Sequence, residues 1–355
     1  MNACLNSASQ LCFQHSLNFN SEKAFQVDLF VEGRPIISLG QEDQEVYFGT
    51  TVGAKLWNYP PNQLTSNLDK IATSLLAPWQ KLEVYRSHLV PSLSHHLACE
   101  RVLKDALTSL DTDCSKFLGH ISMVPNTATT PFFYADRRIG DLGTFSLTDD
   151  VDIWTLARAL YLLTSKDQLV KDIFTEQLKD TILQGFREEA PATILIGEYL
   201  SGSTEDGLYR LRYKPAGTNL WTLARGAAKR LRAQIDVSGD GTFRIIADDV
   251  FVLPAKAVRG LRQVVRKRHT RKFTCGKHQG RVAQALAMDT TSKDIARLTS
   301  CRTNLLHDDW RYLHRARLDL LLLRGYALSS SHKSGCHCGE SSENGFHVLK
   351  FQVLV

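Results

Sequence analysis

Residues 254–281 read PAKAVRGLRQVVRKRHTRKFTCGKHQGR and hold ten Lys and Arg with no Asp or Glu. On a helix, at about 100° per residue, Lys256, Arg259, Arg262 and Arg266 fall on one arc. Val258, Leu261, Val264 and Val265 fall on the opposite arc. The pattern predicts an amphipathic helix with one packed face and one basic face. Lys267, Arg268, His269, Arg271 and Lys272 carry the positive charge beyond the regular pattern. An uninterrupted basic face repels itself unless something anionic lies across it. Phosphate backbone is the commonest such partner, because each neutralised phosphate releases condensed counterions. A solvated charge run is the plain alternative, and the absence of any acidic residue favours nucleic acid.

The charge is local. The chain has 355 residues, is 43% hydrophobic and carries a net charge of +6, so everything outside the basic stretch is slightly acidic. A local patch fits a docking surface better than general stickiness. The length allows sizeable cores and two or three domains. The N-terminal MNACLNSASQLCFQ has neither a basic n-region nor a long apolar core, so no signal peptide is expected. No stretch approaches the roughly 20 apolar residues of a membrane span, and LDLLLL at 318–323 is far too short. The eight cysteines form no disulfide framework, which points to a reducing compartment, nuclear or cytoplasmic.

In chain order, residues 2–16 read as a helix. Ala24–Phe30, Pro35–Ser38 and Val46–Gly49 read as short strands between turn residues Asn18, Asn20, Ser21 and Gly33-Arg34-Pro35. Leu64, Leu68, Ile71 and Leu75 recur at helical spacing, as do Trp79, Leu82, Tyr85 or Arg86, and Leu89, with Pro78 and Pro91 as punctuation. LTDDVDIWTLARALYLLTS, at 147–165, is helical, and 165–215 is mostly helical with a loop at Ser201–Gly207. A helix at about 221–234 carries Arg225, Lys229, Arg230 and Arg232, a second and weaker basic face. DVSGDGTFRI reads as a hairpin turn entering a strand, and the last third as three helices. The expected fold is mainly α with a small β remnant (α+β).

The order of these segments resembles the C-terminal part of a non-LTR (type-1) retrotransposon reverse transcriptase, the Pol polyprotein of elements that insert into ribosomal RNA genes. LNFNSEKAFQV followed by EGRPIISLGQEDQEVYFGTTVG is similar to the end of that family's palm, with Asn20, Lys23, Pro35, Ile36 and Gly49 at matching positions. Phe48 replaces the usual Leu. The resemblance implies a primer-grip remnant at Tyr47, Phe48 and Gly49. The family's catalytic aspartates, which hold magnesium in the intact RNA-directed DNA polymerase, precede this segment, so the chain is expected to be inactive alone. PWQKLEVYRSHLVPSL and FFYADRRIGDLG resemble thumb motifs, with Asp141 where the family has Gly. The two basic helices resemble the linker after the thumb. Asp308-Asp309-Trp310 and His314-Arg315-Ala316-Arg317-Leu318 resemble a run that precedes the family's zinc knuckle. The implied organisation is the end of the palm at 1–60, a helical thumb at 61–165, a linker with the basic helix at 166–285, and a helical region ending in a degenerate knuckle at 286–355.

Of that knuckle, Cys336, Cys338 and His347 are present. Only one residue separates the cysteines, and the fourth position falls on Gln352. Structural zinc wants four ligands on loops that let the thiolates converge, so a decayed zinc site is the reading. Tyr134-Ala135-Asp136-Arg137 mimics a polymerase box. Two-metal phosphoryl transfer needs adjacent carboxylates, and Arg137 puts a cation where the second would stand. Asp236 to Gly241 matches half a calcium loop, but the twelfth position is Ala247, without the bidentate carboxylate. His95, His96 and Cys99 form no wider constellation. The implied partners are element RNA template and target DNA, with no membrane. Lys256, Arg259, Arg262, Arg266, Lys267, Arg268, Arg271 and Lys272 are the expected phosphate contacts, assisted by Arg225, Lys229 and Arg232. The alternative is a non-enzymatic helical interaction protein whose basic face takes acidic partners.

Overall fold

The structure is a computed structural model. It describes residues 63–99, 104–139, 141–185, 194–202, 219–238, 241–277, 279–288, 306–318 and 320, and the strand residues 30–31, 34–35, 44–47 and 50–53. In chain order the elements are β1 (Phe30–Val31), β2 (Arg34–Pro35), β3 (Gln44–Tyr47) and β4 (Thr50–Gly53), then α1 (Gln63–Thr73), α2 (Pro78–Val84), a π-turn (Tyr85–Leu89), α3 (Val90–Cys99), α4 (Lys104–Ile121) and α5 (Pro131–Tyr134). A 3-10 turn (Arg137–Ile139), α6 (Leu147–Leu163), α7 (Gln168–Gly185), α8 (Ile194–Ser201), α9 (Leu220–Leu231), β5 (Ala233–Val237), β6 (Phe243–Ala247) and β7 (Val250–Val252) follow. The series closes with a 3-10 turn (Pro254–Lys256), α10 (Ala257–Thr274), α11 (Arg281–Met288) and α12 (His307–Arg317). The protein is mainly helical with little β structure. Its described residues fall into two compact units, one of residues 1–60, 94–106 and 148–264, the other of residues 61–93, 107–147 and 265–355.

In the first unit, β1 pairs with β2, and β3 pairs antiparallel with β4 in a register that sets Tyr47 opposite Thr50. The antiparallel sheet β5-β6-β7 alternates as a half-covered sheet should. Ile235, Phe243, Ile245 and Val252 are buried, while Gln234, Arg244 and Phe251 are exposed. α8 lies against β5 closely enough that a Cβ on Gly197 would come within 2.7 Å of the Ile235 carbonyl oxygen. The Ile235 N–H donates to Ser201 Oγ at 2.7 Å. Asn219 caps α9: its Oδ1 accepts from the Thr222 N–H at 2.9 Å, and its Nδ2 donates to Thr181 Oγ1 on α7 at 2.9 Å. α9 ends at Leu231, earlier than the sequence pattern suggests. Arg232 adopts a left-handed conformation with φ 48°, and Ala233 and Gln234 open the strand β5 instead. The left-handed residue hands the helix's last amide to Ala228 and Lys229 and turns the chain.

In the second unit, Leu64, Leu68, Leu82, Tyr85, Leu89, Phe117 and Leu118 are buried, as the helical spacing requires. Leu75 leaves that face and is exposed, because α1 stops at Thr73. Pro91 does not end a helix. The chain widens into the π-turn just before it, with the Val90 N–H reaching back to the Tyr85 carbonyl, and continues as α3. The wider turn takes up the proline ring that a regular turn would clash with. α12 is pinned to the end of α4. Trp310 Nε1 donates to the Ile121 carbonyl, and Arg315 Nε to the Met123 carbonyl, both at 3.1 Å. Asp141 is fully buried. Burial pushes its carboxyl well above the ordinary carboxylate range, and Arg317 opposes that shift.

His314 is buried between Trp310 and Phe132, with ring centroids 4.4 Å and 5.6 Å away. Burial, with Arg317 and Arg86 nearby, holds its pKa well below the ordinary 6.5. The unfolded imidazole therefore takes up a proton from pH 6.5 downward while the folded one stays neutral, so this residue withdraws stability as the pH falls below 6.5. Asp141, with its raised pKa, acts in the opposite sense. The His314→Phe variant isolates the first contribution. Urea unfolding at about pH 7.5 and 5.5 should show a smaller loss of stability on acidification than in the parent protein. An equal loss would refute the assignment.

Candidate nucleic-acid interface

α10 forms where the basic amphipathic pattern predicts it, over Ala257–Thr274. Its packed side is Ala257, Leu261, Val264, Val265 and Phe273. Gly260 lets the first turns approach β7: a Cβ there would lie 2.4 Å from Val252 Cγ1. The cations of the stretch divide into two kinds. Lys256, Arg259, Lys267, Arg271 and Lys272 are exposed, and none of them has an ion-pair partner among the described residues. Arg262 and Arg266 are not free. Arg262 clasps Asp150, Nε to Oδ1 at 2.7 Å, and its guanidinium lies 5.8 Å from the Trp154 ring. Asp150 is only 1% exposed. Arg266 lies over the Phe145 ring at 4.5 Å. Arg268 is half-buried.

The second basic helix divides in the same way. Arg225 is half-buried, donates through Nη1 to the Tyr199 carbonyl at 2.8 Å, and stands 4.9 Å over the Tyr199 ring. Arg230 makes a two-point contact with Asp152 at 2.7 and 2.8 Å, and Lys104 reaches the same carboxylate. Lys229 and Arg232 are exposed. Fork-shaped guanidinium groups suit carboxylates as well as phosphates, and here buried aspartates hold two of them.

In the second unit, the exposed cations Lys267, Arg271 and Lys272 occupy the C-terminal half of α10, and Lys277 and Arg281 follow, also exposed. The false polymerase box lies beside them. The Asp136 N–H donates to Thr270 Oγ1 at 3.0 Å, and the Tyr134 ring meets His269 at 5.2 Å. Asp136 Oδ1 accepts the Arg138 N–H at 3.0 Å, so that carboxylate organises its own turn. Gln279 anchors a second loop, accepting from the Thr129 N–H at 2.6 Å and donating to the Thr127 carbonyl at 2.7 Å.

Of the other expected sites, Tyr47 ends β3, while Phe48 and Gly49 lie outside the described residues. Cys336, Cys338 and His347 also lie outside them. Among the described residues no group of three or more His, Cys, Asp or Glu is placed to hold a metal ion, and no helix is long and apolar enough to cross a membrane. Comparison of the chain with protein-family models and with curated proteins finds no match.

Proposed function

We propose that the chain is a nucleic-acid-binding part of a retrotransposon reverse transcriptase, of the non-LTR type that inserts into ribosomal RNA genes. It would comprise the end of the palm, the thumb and the linker. It would hold element RNA or target DNA by phosphate contacts, in the cytoplasm or the nucleus. The observation that supports this best is the division of the basic residues. After Asp150 and Asp152 have taken their arginines, Lys267, Arg271 and Lys272 remain exposed on one helix half with no acidic partner among the described residues. The ordered series of family-like segments supplies the rest of the reading.

The experiment is binding of the full chain to labelled RNA by fluorescence anisotropy across a salt series, together with a primer-extension assay. The expected results are an affinity that falls steeply with salt and no magnesium-dependent synthesis by these 355 residues alone. Salt-independent binding, or none, would count against the nucleic-acid reading. Synthesis would overturn the expectation that catalysis resides elsewhere. Binding to acidic proteins with no preference for nucleic acid length would favour an interaction protein.

A further inference from the structure

We infer that the phosphate-binding face extends beyond α10 to the turn at residues 136–139, with Arg138 as its contact, and that this face reads the phosphodiester backbone rather than the bases. The inference rests on the nucleic-acid reading above. Thr270 lies on α10 between Lys267 and Arg271, three residues after the one and directly before the other. Its hydroxyl receives the Asp136 N–H at 3.0 Å, so the turn is joined to the middle of the exposed basic run. Two residues on, Arg138 is exposed, and its own N–H is fixed by Asp136 Oδ1. The turn is held from behind as well. Ile139 is buried, and the stem of Arg137 fills the space over Gly143, where a Cβ would lie 2.4 Å from Arg137 Cγ. Gly143 has φ +61°, which a side chain would strain further. Arg138 therefore stands on a braced turn beside a braced helix, and a phosphate contact made there costs little ordering.

The rings nearby are turned inward. Tyr134 and Phe273 are buried, and His269 is half-buried against Tyr134. Among the described residues of this unit no Phe, Tyr or Trp is exposed. Sequence-tolerant single-strand binders stack bases on exposed rings, and the described residues of this face offer none. It has cations, a Thr-rich loop at 127–130, and Gln279 holding that loop in place.

The test uses the full chain and labelled oligo(rU), oligo(rA) and oligo(rC) of equal length, titrated at several salt concentrations. Arg138→Gln should weaken binding roughly five- to tenfold at 0.1 M salt and lower the salt slope by about one. Its unfolding midpoint should stay unchanged, since the side chain is exposed. Thr270→Val, which removes the acceptor but leaves every charge in place, should lose part of the same affinity, and Thr270→Ser should restore it. The three oligomers should bind within a few-fold of one another. An unchanged slope in Arg138→Gln, while substitution of Lys267, Arg271 and Lys272 does weaken binding, overturns the extension to the turn. An unaffected Thr270→Val overturns its role in positioning that turn. A tenfold preference for one base overturns the backbone-only reading. If neither Arg138→Gln nor the α10 substitutions change binding, the nucleic-acid reading itself fails.

Discussion

Replacing Lys267, Arg271 and Lys272 together with glutamine should lower the slope of log affinity against log salt by about 2 for single strands and nearly 3 for duplex DNA. At about 0.1 M salt that amounts to roughly two orders of magnitude in affinity. The helix itself should survive. All three side chains are exposed, glutamine is a fair helix former, and relieving the repulsion of adjacent like charges offsets the lost helix-end charge of Arg271 and Lys272. Circular dichroism and the unfolding midpoint check that point. An intact fold with an unchanged slope would show that these cations meet no phosphate. The effect is expected to be large because these groups have no acidic partner among the described residues. No ion pair among the described residues has to be surrendered when a phosphate approaches, and each contact releases its counterions in full.

The helices were legible because their signals are local. The periodicity of α6 and α10 and the turn chemistry before β6 are all read within a few residues. The boundaries that failed were settled by conformation or by distant packing. Arg232 ends α9 through a left-handed backbone that no residue type there announces. Leu75 keeps the helical spacing but lies beyond the last hydrogen-bonded turn. The candidate site was half legible. A charge count locates cations but not their partners, and Asp150 and Asp152 lie 112 and 78 positions from the arginines they hold, on a helix whose own pattern reads as core. The same blindness hid Arg138. Its neighbour Asp136 drew attention as a possible metal ligand, whereas its backbone joint to Thr270 is what gives the turn a place beside the basic run. The interleaved units explain both misses, since each gathers three separate stretches of chain. The signal available was an arginine pair directly after a turn-forming aspartate, which is too common to single out unaided.

Two arginines three residues apart on α10 should therefore behave in opposite ways. Arg262→Gln should destabilise the protein by about 3 kcal/mol, because it strands the Asp150 carboxylate, 1% exposed, without its cation. The Asp150→Asn variant should cost less. The arginine side chain left behind is 25% exposed, can turn toward water and keeps the Trp154 ring beneath it. Combining the two substitutions should recover part of the loss, since the cost lies in the unpaired charge and not in the missing bond. Arg259→Gln should leave stability within about 0.5 kcal/mol and lower the salt slope by about one. Arg262→Gln, measured on the folded fraction, should leave the slope where it was. Chemical denaturation and the salt titration separate these outcomes. If Arg262→Gln reduces the slope and spares the stability, Asp150 holds the arginine only until nucleic acid claims it, and the division between structural and binding cations on this helix is not fixed by the fold.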